Sequence, residues 1–600
     1  MKIRLLSLMI IASLGIIVYS NSYYCSFHLD DYTSIVNNFC IKNIHLLSNV
    51  WNFLPRRSLL YLSFALNYHF NGLNVFYYHL FNLAIHLIAA ILVWWLMLLT
   101  FKTPVMRDEK IARRADIISL LAGLIFVVHP IQTEAVTYIV QRAASMAALF
   151  YLSSLCFYIK SRLSARGGGG EEYSYYISSF VFAVLAMFTK ETAITLPLMI
   201  LLYEFSFLRN GKGFNWVRLV PFILAILIIP ITMLLTETGA VRVGQLQSEP
   251  GISSMHYLLT EFRVMMTYVR LVFLPFHQNL DYDYPISKSI FELPTLISFL
   301  AWGGMLFLAQ RLFLKYRLFS FSIFWFFLTL LPESSFMPIR DVIFEHRLYL
   351  PLVGFSIFLV IGAYYLWGEN TFRRMVIILT LIIAIFSLLT YQRNKVWSDE
   401  LTLWNDTIKK SPYKVRPYIN RGLAYYREGN YMHAIADYSK AVSLKPDAED
   451  EYNNLGLVYS KQENFPQAIS DYSQAIALKP EYADAYYNRG NIYFREGDFV
   501  KAVADYDKSI LFNPDNEDEY NNRGLAYYKI GKFDQAILDY NKAVKLNSKD
   551  VDAYQNLAVI YYHLKEYNKS WENVRKAEGL GAVVKAKLIE EIKQATQRLN

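Results

Sequence analysis

The residues best suited to do chemistry stand in a short loop, Phe27-His28-Leu29-Asp30-Asp31-Tyr32, just after the first apolar run. Adjacent carboxylates can take a proton from an attacking hydroxyl or hold a divalent cation. Taken alone, such a pair is also what a solvated loop carries. Further polar groups recur at the ends of later apolar runs. His79, Asn82 and His86 fall at i, i+3 and i+7 and so share one helix face. That face serves equally as the wall of a site or as a helix-to-helix hydrogen-bonding seam; His79 favours the first and the deeper His86 the second. Then come His129-Pro130 with Glu134 and Arg142, Lys190-Glu191, and Arg340, Asp341, Glu345, His346 and Arg347. Arg56, Arg57, Arg142, Lys190 and Arg347 are the candidate partners for a lipid-linked phosphate. Arginine can bind phosphate through two parallel N–H donors. Each of them could instead bind an anionic headgroup or close a helix end.

These groups need apolar elements to hold them. The chain has 600 residues, 54% hydrophobic and 18% charged, with a positive mean hydropathy. It is too apolar for disorder and unusual for a soluble enzyme. Judged against the ~20 apolar residues that cross a bilayer, candidate spans lie at 5–20, 77–100, 116–133, 137–159, 174–190, 193–208, 217–236, 294–313, 318–332, 347–367 and 373–391. The stretch 255–276 carries Glu261, Arg263 and Arg270 and reads as a helix lying in the interface. About eleven spans put five basic clusters on one side: Lys102 to Arg114, Lys160 to Arg166, Arg209 with Lys212, Arg311 to Arg317, and Arg373-Arg374. A twelfth span would break that pattern, so the N-terminus is expected in the cytoplasm and the C-terminal half outside it. The first run lacks a small-residue cleavage site and reads as a retained span.

The excess of 59 Lys and Arg over 50 Asp and Glu is a matter of membrane orientation and does not indicate nucleic-acid binding. Cys25, Cys40 and Cys156 make neither a disulfide framework nor a zinc motif, although Cys25 and Cys40 share an outer loop. No glycine-rich nucleotide loop follows a strand, which disfavours a nucleotide sugar as direct donor.

After residue 392 the composition turns polar and tyrosine-rich. Gly422, Gly456, Gly490 and Gly524 recur every 34 residues, as do Pro446, Pro480 and Pro514. Units at 415–448, 449–482, 483–516, 517–550 and 551–584 share this frame, with Ala434, Ala468, Ala502 and Ala536 at helix crossings. The pattern resembles the tetratricopeptide repeat. Residues 393–414 form a junction with a half-repeat around Trp404, and 585–600 a capping helix. The expected fold is all-α: a polytopic membrane helix bundle, 1–392, followed by an α-solenoid. The sets Asn453-Asn454, Asn488-Arg489 and Asn521-Asn522-Arg523 suit an extended bound chain or an ordinary solvated face equally well.

The order Asp30-Asp31, Gly72 with His79, Asn82 and His86, His129-Pro130, Thr133-Glu134-Ala135, Arg142, Lys190-Glu191-Thr192 and Glu345-His346-Arg347-Leu348-Tyr349-Leu350-Pro351 before the repeats resembles the transmembrane and tetratricopeptide-repeat O-mannosyltransferase family, within the C-type fold of membrane glycosyltransferases. The resemblance implies an inverting transfer of mannose from a polyprenyl-phosphate donor to a protein Ser or Thr hydroxyl on the extracytoplasmic side. It implies an acid pair at Asp30 and Asp31, a second acid at Glu134, and phosphate-side cations at Arg142, Lys190 and Arg347, to which the residue pattern adds Arg57. His79, Asn82, His129 and Glu345 support them. The family often carries Arg-Arg where this chain has His346-Arg347. A Mg²⁺ or Mn²⁺ held by Asp31 is compatible with this chemistry and not required by it. The membrane would be the plasma or inner membrane of a bacterium or the endoplasmic reticulum of a eukaryote, and the repeats would recruit the acceptor. The competing reading is a catalytically silent, membrane-anchored repeat scaffold, which would have no need of outer acids.

Overall fold

The computed structural model describes residues 2–42, 47–165, 171–209, 216–238, 252–334, 338–339 and 341–597; Arg166, Lys212 and Arg340 lie outside them. Among the described residues every regular element is helical. The chain divides into two compact units, Met1–Pro412 and Tyr413–Asn600.

Among the described residues of the first unit, six helices are long and apolar enough to cross a membrane: Val75–Thr100, Ile139–Ser164, Glu191–Leu208, Trp216–Leu235, Leu293–Leu312 and Glu369–Trp397. Arg317–Leu330 and Pro351–Trp367 are apolar but shorter. The apolar run at 116–133 is broken by Pro130, which cannot continue a helix behind His129, so its helix is Ala115–Val128. The Ser254–Phe273 helix buries Tyr257, Glu261, Val264, Tyr268 and Leu271, a stripe at helical spacing that carries a carboxylate.

Lipid tails are as apolar as leucine, so close packing holds such helices together. Gly354 shows the principle: a Cβ there would stand 2.7 Å from the Ser322 carbonyl oxygen. Beside it the Trp325 indole N–H donates to the Leu350 carbonyl at 2.9 Å. An apolar groove of about 610 Å³, lined by Val269, Phe273, Phe319, Phe326, Phe355 and Phe358 among others, opens between the four helices around this contact.

The last part of the first unit is a buttress. The Glu400–Lys410 helix buries Leu403 and Trp404 against Tyr138, Leu280 and Trp397. Its Asp406 accepts from Arg393 and Lys410, both at 2.6 Å, and Lys410 also donates to the Gln278 carbonyl.

The second unit is a tetratricopeptide-type solenoid. Its pairs are Val415–Arg427 with Tyr431–Leu444, Glu449–Lys461 with Phe465–Leu478, Ala483–Arg495 with Phe499–Phe512, Glu517–Lys529 with Phe533–Leu546, and Val551–His563 with Tyr567–Gly579. The Ala586–Gln597 helix follows. Gly456 is required for close approach: a Cβ would lie 2.6 Å from the Tyr472 ring. The polar sets read as candidate peptide contacts are engaged largely by other side chains of the array. Asn488 donates to Asn453, Asn522 to Tyr487 and Asn491, and Asn521 to Asp550.

Candidate active site

Asp30 and Asp31 follow Leu29, whose φ of +43° is a strained, left-handed conformation for a bulky residue. The loop is pinned by Asp31. Its two oxygens accept the backbone N–H groups of Val140 at 2.7 Å and His28 at 3.0 Å. Asp31 is fully buried, and burial pushes its carboxyl up to about 8 against those hydrogen bonds. Asp30 remains partly exposed, and its backbone N–H donates to Tyr138 Oη at 3.0 Å. His28 Nε2 lies 2.9 Å from the Trp397 carbonyl oxygen, and burial lowers its pKa to about 4. The two acids therefore differ: Asp31 organises the loop, and Asp30 is the one open to a substrate.

Tyr138 bridges to the second acid, since it interacts electrostatically with Asp30, Asp31 and Glu134. Glu134 Oε2 accepts the backbone N–H groups of Glu345 and His346, and Oε1 meets His346 Nδ1 at 2.7 Å. Glu345 is bound in turn by Gln278, by the Asn279 backbone N–H and by Tyr282. Burial raises both carboxyls; the backbone N–H groups of His346 and Glu345 lower that of Glu134, the Glu134 charge raises that of Glu345, and Arg393 opposes both rises. Burial also holds His346 well below its ordinary value. Glu134 and His346, 212 residues apart in sequence, thus meet as a buried hydrogen-bonded pair.

His346 also lies within the electrostatic reach of Lys190, Glu333, Arg347 and Arg57. Lys190 Nζ pairs with Glu333 at 2.7 Å, and Arg57 and Arg56 approach Glu191 at 3.1 and 3.5 Å. Arg347 donates to the Val342 and Asp341 carbonyls and stands 3.9 Å from Glu261. The Arg56 and Arg57 side chains are about a third exposed, whereas Arg347 is 2% exposed. Next to Arg57 an open cleft of about 750 Å³ is lined by Ser48, Val50, Trp51, Ser58, Leu59 and Leu62.

The other sequence candidates serve the framework. Arg142 is fully buried; it donates to Asn82 at 2.6 Å, Asn67 at 2.7 Å, Ser63 and the Tyr78 carbonyl, which ties three helices together. Its charge is felt by Asp31. Asn82 also donates to the Val136 carbonyl. His79 Nε2 engages the Cys25 carbonyl oxygen at 3.0 Å. His129 closes a helix end: Nδ1 accepts from Ile131 N–H, and Nε2 reaches the Val272 carbonyl oxygen. Among the described residues no group of three or more His, Cys, Asp or Glu side chains is arranged to hold a metal ion. Asp31 is thus without the further ligands that a resident cation would need there.

Glu333, Gln278, Tyr282, Tyr138 and Arg393 were not singled out from sequence. Glu333 alone carried a signal, as an acid at the end of the apolar run 318–332.

The C-terminal unit matches models described as TPR repeat at 422–463 and 459–497, and as tetratricopeptide repeat at 483–516, 517–550 and 539–572. Over 500 residues the chain is 26% identical to the Homo sapiens protein O-mannosyl-transferase TMTC3, covering 74% of this chain and 52% of that protein. It is 25% identical to Homo sapiens protein O-mannosyl-transferase TMTC4, covering 72% and 65%, and 32% identical over 206 residues to Homo sapiens TMTC2, covering 32% and 23%. The chain spans about half the length of the TMTC3 relatives. Among solved structures, a MamA crystal structure aligns at TM-score 0.26 and 24% identity, over 27% of this chain and 94% of that one. YrrB, a TPR protein, aligns at 0.29 and 21%, over 32% and 97%.

Proposed function

We propose that this chain is a multi-pass membrane glycosyltransferase that moves mannose from a polyprenyl-phosphate donor to protein Ser or Thr hydroxyls on the extracytoplasmic side. The observation that carries the reading is the convergence of Asp30, the Glu134–His346 pair and the Arg57–Lys190–Arg347 cations at neighbouring bundle ends. The relatives named protein O-mannosyl-transferases support it.

Asp30 accepts the proton of the acceptor hydroxyl as its oxygen attacks the anomeric carbon. The carbon–oxygen bond to phosphate breaks, and configuration inverts. Negative charge develops on the leaving phosphate, where preorganised cations act most strongly. Arg56 and Arg57 are the accessible cations, and Lys190 lies buried against Glu333. Each is already paired with Glu191 or Glu333, so donor binding exchanges a carboxylate partner for a phosphate. The phenylalanine-lined groove is suited to an isoprenoid chain, since its walls are almost wholly apolar. The Glu134–His346 pair holds a proton beside the acceptor oxygen without placing a fixed charge there.

The test is incubation of membranes with radiolabelled polyprenyl-phosphate mannose, following label into protein. A general base contributes ~10²–10⁴-fold, so Asp30→Asn should lose transfer by that factor while melting as the wild type does. Asp31→Asn should lower both activity and melting temperature, because one backbone N–H loses its acceptor. Label that appears in a glycan fraction retains the mechanism and changes the acceptor. No label in any fraction leaves the scaffold reading.

A further inference from the structure

Within the solenoid, helix A of three repeats carries an arginine that grips an aspartate of helix B sixteen residues later. Arg421 binds Asp437 through Nε at 2.8 Å and Nη2 at 2.6 Å. Arg489 binds Asp505 at 2.8 and 2.8 Å, and Arg523 binds Asp539 at 2.8 and 2.6 Å. Each guanidinium also sits between two tyrosine rings: Tyr418 and Tyr425 at 5.8 and 6.0 Å, Tyr486 and Tyr493 at 5.7 and 5.9 Å, Tyr520 and Tyr527 at 5.7 and 5.8 Å. The same receptor for one planar cation is therefore built three times.

The second repeat departs from this in one respect. At the arginine position stands Leu455, which turns into the core against Ala434, Tyr438 and Val458. The rest is kept: Tyr452 and Tyr459 occupy the tyrosine positions, and Asp471 the acid position. Asp471 is 8% exposed, and its Oδ2 has no hydrogen-bond partner among the described residues. Its Oδ1 accepts only from the side chain of Gln467, an exposed residue that covers it. Burial without a cation pushes the carboxyl up to about 6. The fifth repeat shows what happens when the site is discarded altogether. There Leu557 replaces the arginine and Asn573 replaces the aspartate, so no charge is stranded. A buried carboxylate left unpaired costs stability, and the second repeat retains one.

We propose that Asp471, with Tyr452 and Tyr459, is a binding site for an arginine side chain of a polypeptide partner, which enters where the sister repeats place their own guanidinium. Gln467 swings aside, and the incoming guanidinium makes the two parallel N–H to carboxylate bonds seen three times in the same array. A lysine fits less well, because its ammonium cannot make the planar fork. This site rests on the array recognising a polypeptide and not on the sugar chemistry of the membrane unit.

The test is selection of soluble nonapeptides from a randomised library by the full-length chain in nanodiscs at 0.15 M salt. Arginine should be enriched at one position over lysine and glutamine. That enrichment should fall at least tenfold in Asp471→Asn, which keeps the shape. It should fall equally in Leu455→Arg, which supplies the cation from within and should raise the melting temperature of the repeats. Absence of arginine enrichment, or enrichment undiminished in Asp471→Asn, overturns the proposal whether or not Leu455→Arg folds. Arginine selection without mannose transfer would break the transferase reading and leave this one standing.

Discussion

Burial sets the candidate acids apart from one another. Asp31, Glu134 and Glu345 are held above the ordinary carboxyl range in the folded chain. They therefore keep protons that the unfolded chain releases near pH 4. Where the folded state binds more protons, stability falls as pH rises. His28 and His346 act oppositely: their folded values are depressed, so they cost stability only below about pH 6.5, where the unfolded chain takes up protons. Between pH 6.5 and 8 the contribution of the acids persists while that of the histidines fades. The melting temperature should fall over that window, with a shallower slope for Glu134→Gln than for the wild type; an unchanged slope counts against the burial account. The acids and cations themselves could be read from sequence, since charged residues at the ends of apolar runs stand out. Their division of labour could not. It depends on Val140, Tyr138 and His346 meeting residues more than a hundred positions away, and no local pattern records such contacts.

At the scale of elements, the repeats were the most readable part, because a 34-residue period is written locally and the packing reason for each small residue lies within its own helix pair. The turn between helices A and B shows a finer rule that the period alone conceals. Gly429, Gly497 and Gly531 adopt φ of +75°, +83° and +77° there, and the equivalent Glu463 and Lys565 adopt +60° and +63°. A side chain in that conformation costs roughly 1 kcal/mol. Glu463→Gly or Lys565→Gly should therefore stabilise its repeat by about that amount, less the entropy glycine adds to the unfolded chain, as read by urea melts. Gly456→Ala should destabilise, since Tyr472 cannot retreat from a Cβ at 2.6 Å. The membrane helices were less readable in their limits. Pro130 shortens one apolar run, and the Glu191–Leu208 segment includes a 3-10 turn and a π-helical turn around its α-helical core.

For the whole molecule, the proposed orientation puts the Asp30 loop, the repeats and Cys40 outside the cytoplasm. Cys25 and Cys156 are buried, and Cys40 is partly exposed, so the chain carries its own reporter. A membrane-impermeant maleimide should label intact cells at Cys40, and Cys40→Ser should abolish the signal; labelling that needs permeabilisation would reverse the orientation. The buttress after the last long helix adds a consequence of another kind. The contacts that steady the Asp30 loop and Glu345 from the C-terminal side end at Trp397, Lys410 and Ser411, the last of which accepts from Asn279 at 2.7 Å. The repeating frame begins only after them. Duplication or loss of a 34-residue segment downstream thus leaves these buttress contacts in place. Lineages carrying such a gene can lengthen, shorten or rewrite their recognition surface by unequal recombination while inheriting the chemistry unchanged.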